Sequence, residues 1–107
     1  MTRDLSETLD AVCLATRIVL ENGGETYRAE QTVERMCKGF GIPKAEVLAL
    51  PTGVMLTVHV DDETEYTRIV RVSSRTIDLT RLDDCNTVSR LAAEKKLSAQ
   101  EALTRLR

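Results

Sequence analysis

Glu25, Thr26, Arg28 and Glu30 crowd two carboxylates, a hydroxyl and a guanidinium into a run of six residues within a 107-residue chain. This set has the chemistry to hold a zwitterion. A guanidinium pairs bidentately with a carboxylate, and a carboxylate accepts from an ammonium group. The plainer reading is a helix first turn with solvated, locally paired charges. Helical spacing puts Arg28 near the opposite side from Thr26 and Glu30, so one small pocket could gather all four only with help from other elements.

Three further sets could carry chemistry. His59, the sole histidine, precedes Asp61, Asp62, Glu63 and Glu65. That order suits a metal or acid–base site, or simply an exposed strand histidine beside an acidic turn. Arg68, Arg71, Arg75 and Arg81 could form an edge for anions or anionic lipid, or a solvated edge balanced by the same acidic turn. Arg68 and Arg71 fall on opposite faces of a strand, which weakens a single patch. Cys13, Cys37 and Cys85 are odd in number, widely spaced and set among apolar residues. They read as reduced thiols in a reducing compartment, with Cys13 and Cys37 packing across a helical hairpin. No CxxC or paired-histidine spacing is present, so neither a metal site nor a cofactor is expected.

These residues need elements to position them. Apolar residues from Leu5 to Leu20 recur with a 3.6-residue period, predicting a helix over about 4–22 that is covered on more than one side. Asn22-Gly23-Gly24 stops it. A second helix is predicted over about 25–39 and ends at Gly39 and Gly41, so the two form an antiparallel hairpin. The period then falls to two. Strands are predicted at 46–50, 54–60 and 65–72, joined by Pro51-Thr52-Gly53 and by Asp61-Asp62-Glu63-Thr64. Gly53 is expected in the left-handed position of a three-residue hairpin. After a loop at Ser73-Ser74-Arg75-Thr76, a third helix begins near Asp78 or Thr80, with Asp83 and Asp84 in its first turn and Lys95-Lys96 closing it. Ser98 and Glu101 form a capping box for a fourth helix, with Leu97 and Ala102 as its staple. The expected fold is α+β, of order ααβββαα: a helical hairpin on a three-stranded antiparallel meander, then two helices.

Composition sets the outer limits. The length suits one domain with a single core. The only aromatics are Tyr27, Phe40 and Tyr66, so that core must be aliphatic. The net charge of −2, from 15 basic and 17 acidic residues, argues against a nucleic-acid groove. No run of apolar residues is long enough to span a bilayer, and Met1 to Leu5 carries no signal-peptide pattern.

The run Asn22-Gly23-Gly24-Glu25-Thr26-Tyr27-Arg28-Ala29-Glu30 resembles the Gly-Ala-Glu-Thr-x-Arg-Val-Glu segment of the threonine/serine exporter family. Pro51-Thr52-Gly53, Thr67-Arg68-Ile69-Val70-Arg71-Val72, Ile77-Asp78-Leu79 and the Leu-Ser-x-x-Glu-Ala pattern at 97–102 look like that family's later landmarks, in order. Gly24 stands where Ala is usual, which would loosen the start of the second helix, and Ala29 stands where Val is usual. The resemblance implies a cytoplasmic N-terminal domain ahead of a bundle of membrane helices. Members export threonine and serine, and a two-component branch is associated with dicarboxylate export. The fourth helix carries no stop signal through Leu103 to Arg107, so the chain is expected to continue into that bundle.

The expected function is therefore the cytoplasmic domain of an amino-acid exporter, with a gating, substrate-sensing or assembly role and no catalysis. Glu25, Thr26, Arg28 and Glu30 are its candidate substrate-binding or interface residues. The expected partners are the membrane-helix bundle, L-threonine, L-serine or a dicarboxylate, and further copies of the chain. Two other readings stand beside it: a free-standing small-molecule-binding module, and a hydrolase built on His59.

Overall fold

The computed structural model of the chain describes residues 3–73 and 78–107. These form α1 (Arg3–Glu21), α2 (Thr26–Gly39), β1 (Lys44–Leu50), β2 (Gly53–His59), β3 (Glu65–Arg71), α3 (Leu79–Ala93) and α4 (Ala99–Leu106). The fold is α+β in the expected order, and the sheet is an antiparallel meander β1-β2-β3. Arg75 and most of the loop from Ser73 to Thr76 lie outside the described residues.

The molecule has three layers. The α1/α2 hairpin covers one face of the sheet. On the hairpin's far side α3 packs against α2 and α1, and α4 against α1 and α3. Helix α1 is thus a middle layer, which explains why its apolar residues spread beyond a single stripe. Leu9, Val12, Ala15, Val19 and Leu20 are all fully buried. The core continues through Val33 and Met36 of α2 to Leu56 and Val58 of β2, and its large buried side chains are aliphatic, as the composition requires.

Local chemistry sets the boundaries. Gly23 takes a left-handed φ of 91°, and Gly24 N–H donates to the Val19 carbonyl at 2.7 Å to close α1. Gly24 has no such φ, and a Cβ there would press on the Val19 side chain and carbonyl. The position is close-packed rather than loose. In β2, Gly53 also departs from expectation. Leu50 pairs directly with Gly53, so Pro51 and Thr52 alone make the link and Gly53 is already in the strand. It is not left-handed. Its lack of a side chain matters instead because a Cβ would come within 2.6 Å of the Val70 carbonyl oxygen.

Helix α3 starts one turn earlier than its acidic pair suggests. Asp78 is the N-cap and accepts from Arg81 N–H at 3.0 Å. Asp83 and Asp84 therefore sit in the second turn, not the first. The Ser98/Glu101 capping box on α4 is present in both directions. Helix α4 has only eight residues, too few to be stable alone. It is held because Ala102, Leu103 and Leu106 are buried.

The three cysteines are free thiols in the core. Cys85 Sγ–H donates to the Ala15 carbonyl at 3.3 Å, joining α3 to α1. Burial pushes the Cys37 and Cys85 thiols up to about 12. Burial also raises Cys13, against the opposing pull of the Arg68 charge.

Two outcomes follow. A Cβ on Gly39 would collide with the Ala92 carbonyl and with Ala93 Cα, where α2 meets α3 backbone to backbone. Gly39→Ala should therefore cost about 1–3 kcal/mol in urea unfolding. An unchanged midpoint would contradict that packing. The raised thiols also carry a pH signature. Their folded values lie above the ordinary 9.0, so the unfolded chain loses its thiol protons first. Stability should be whole below pH 9 and fall as pH climbs toward 12. Cys37→Ala should show a shallower alkaline decline than the parent, whatever its stability at pH 8. An equal slope would mean that the thiol is not protected.

Candidate functional site

Helix α2 and its N-cap carry all of the candidate residues and do not bring them together. Glu30 turns toward the sheet, where its carboxylate accepts from Ala49 N–H at 3.0 Å. β1 is an edge strand, and this N–H needs a partner from outside the sheet. Glu30 supplies one and blocks strand addition at that point. Glu25 precedes α2 as its N-cap, exposed and without a capping bond from its side chain. Thr26 is half-buried in the first turn. Arg28 projects from the other side of the helix, as its spacing requires, and faces α3.

There it joins residues that its own sequence neighbourhood does not announce. Arg28, Gln31 and Arg35 on α2 face Asp83, Asn86 and Arg90 on α3 across a groove of about 690 Å³, with Tyr27 also lining it. The groove lies on the N-terminal side of the Gly39–Ala92 contact in both helices. Among the described residues, neither Arg28 nor Arg35 has a carboxylate within ion-pairing distance, and Asp83 has no cation within that distance. Arg90 has only a loose approach to Glu94, at 3.9 Å. Three guanidinium groups thus oppose one carboxylate in a chain whose net charge is −2. That imbalance makes a local positive field in an acidic protein. The guanidinium fork matches a carboxylate bidentately, and Asp83 offers an acceptor for an ammonium group.

The i, i+7 spacing of Arg28 and Arg35 places both on one helical face, a signal present in the sequence. Asp83, Asn86 and Arg90 share a face of α3 by the same i, i+3, i+7 spacing, but only packing brings that face opposite Arg28 and Arg35.

The other candidate sets resolve differently. His59 lies on the uncovered face of the sheet. Its Nδ1 is 3.3 Å from Glu65 Oε2, and its Nε2 is 3.5 Å from Glu46 Oε1. The Nε2 atom is enclosed without a hydrogen-bond partner among the described residues. Asp61 is occupied within its own turn, accepting from Glu63 N–H at 2.9 Å. That bond and those from Thr64 hold its carboxyl below the usual range.

The arginine set divides. Arg68 donates to Asp10 on α1 at 2.9 Å. Arg81 donates to the Leu106 carbonyl at 3.3 Å, tying α3 to α4. Arg68 and Arg71 share a smaller cleft with Arg17 and Arg107, two residues that the linear grouping had missed.

Comparison with known proteins gives one result. The family model described as "Putative threonine/serine exporter" matches residues 10–107. No curated protein and no solved structure gives a significant match. The family match takes in α2, the whole sheet, α3, α4 and most of α1. On that extent the chain belongs to the threonine/serine exporter family.

Proposed function

We propose that this chain is the cytoplasmic N-terminal domain of a threonine/serine exporter, set ahead of a bundle of membrane helices. In this reading it senses the exported amino acid through the α2–α3 groove. The observation that carries the reading is the pair of guanidinium groups, Arg28 and Arg35, facing the Asp83 carboxylate across that groove, none of the three ion-paired among the described residues. An α-amino acid carries both complementary charges. Its carboxylate would take one or both arginines, and its ammonium group would take Asp83. Gln31 and Asn86 offer donors and acceptors to a side-chain hydroxyl.

Two facts fit this placement. The family match covers nearly the whole chain. No helix among the described residues is long and apolar enough to cross a membrane, so spanning would fall to other segments. A binding role is favoured over hydrolysis because both ring nitrogens of His59 approach carboxylates, Glu65 and Glu46, on the sheet face away from the helices.

The test is export by the full-length protein, with calorimetry of L-threonine on this chain. Charge-assisted hydrogen bonds are worth about 1.5–3 kcal/mol each. Arg28→Ala with Arg35→Ala should therefore weaken threonine binding about tenfold or more, and Asp83→Asn should do likewise. Export should respond less to internal threonine in both variants. Normal binding and normal export in both would defeat the reading.

A further inference from the structure

The helices cover only one face of the sheet. On the other face the strand register sets four cross-strand rows: Lys44–His59–Glu65, Glu46–Thr57–Thr67, Leu48–Met55–Ile69 and Leu50–Gly53–Arg71. The third row is apolar across all three strands, and Ile69 at its end is 66% exposed. Leu48, Leu50 and Met55 are each about half exposed. Beside them is a shallow hollow of about 420 Å³, where Gly53 leaves the centre of the fourth row without a side chain. A contiguous apolar strip on a sheet face, bounded by charge, is the usual mark of a contact surface.

We infer that this face is self-complementary and joins two copies of the chain, sheet to sheet, about a two-fold axis running along β2. Such an axis exchanges β1 and β3 and keeps every row opposite itself. Leu48 then meets Ile69 of the second copy, and Met55 meets its own counterpart. In the first row, Lys44 faces Glu65 of the second copy, twice over by symmetry. In the second row, Glu46 faces the Thr67 hydroxyl. In the fourth row, Leu50 lies over the stem of Arg71, next to the hollow above Gly53, which it can fill. No row sets two carboxylates or two cations of opposite copies face to face along β1 and β3.

Charge also selects the axis. A two-fold running across the strands through the apolar row would leave Lys44 and Glu65 overhanging the turns at the far end. Within one copy Lys44 already approaches Glu46 at 3.3 Å and Glu65 approaches His59 at 3.3 Å. Both remain more than half exposed and are free to bridge.

Size sets the strength. Three seven-residue strands make a face of about 23 by 14 Å from strand rise and spacing. Pairing two such faces buries less than the roughly 1,600 Å² of a standard interface. The dimer should therefore be reversible and micromolar or weaker. It does not depend on the α2–α3 groove, and failure of either proposal leaves the other standing.

Sedimentation equilibrium of the 107-residue chain, from about 10 µM to about 1 mM, spans the range expected for so small a face. The expected result is a concentration-dependent dimer at low salt. Lys44→Glu and Glu65→Lys should each raise the dissociation constant about tenfold or more, since each sets like charges together at both symmetric contacts. The double variant should restore association. Ile69→Asp, an exposed substitution, should abolish the dimer with little change in melting temperature. A monomer throughout the range would overturn the inference. So would a dimer indifferent to Ile69→Asp, or one that the double charge exchange fails to rescue. Either result would assign the face to a different partner.

Discussion

Everything in this fold depends on the α1/α2 hairpin being buried from two sides. The sheet lies against one side of it, and α3 and α4 lie against the other. Helix α1, the more enclosed of the two, is apolar over most of its surface, and its buried polar groups must be satisfied internally. Thr16 of α1 is fully buried and donates its hydroxyl to the Val12 carbonyl at 2.6 Å. The same constraint shapes α2, where Gly39 admits the Ala92 carbonyl to close range. With all four helices gathered on one side, the opposite sheet face has no cover among the described residues, and the groove opens where α2 and α3 part.

Apolar burial alone would let these layers slide, and single polar ties set them in register. Glu30 fixes α2 to the β1 edge, and Asp10 with Arg68 fixes α1 to β3. The Cys85 thiol fixes α3 to α1, and Lys95 Nζ reaches the Gly39 carbonyl at 3.4 Å, joining α3's end to α2. The charged residues not used in this way are informative. Arg28 and Arg35 make no side-chain tie between layers among the described residues, and the proposed function assigns them to an external ligand.

Much of the architecture was legible in the sequence because it rests on local rules. The change from a 3.6-residue to a two-residue period separated hairpin from sheet, and Ser98 with Glu101 announced α4. Gly53 and Asp83 depart from expectation for different reasons. Gly53 is set by a nonlocal contact, the approach of the Val70 carbonyl. Asp83 yields to a second local signal, the cap at Asp78, which puts the first turn of α3 ahead of the acidic pair. The site was legible only in half. Helical spacing already separated Arg28 from Glu30, yet nothing local foretold that Glu30 would bind a strand N–H nineteen residues away. Nor could local spacing reveal that Arg28 would find its neighbours on α3. Contacts between distant segments are fixed by packing, which no single stretch encodes.

The most direct measurement of the central claim is an NMR titration of the isotopically labelled chain with L-threonine. The account predicts saturable shifts confined to the groove, at Tyr27 to Arg35 and at Asp83 to Arg90, with side-chain signals of Arg28 and Arg35 among the most affected. Shifts centred on His59 and the open sheet face, or none at millimolar threonine, would contradict it.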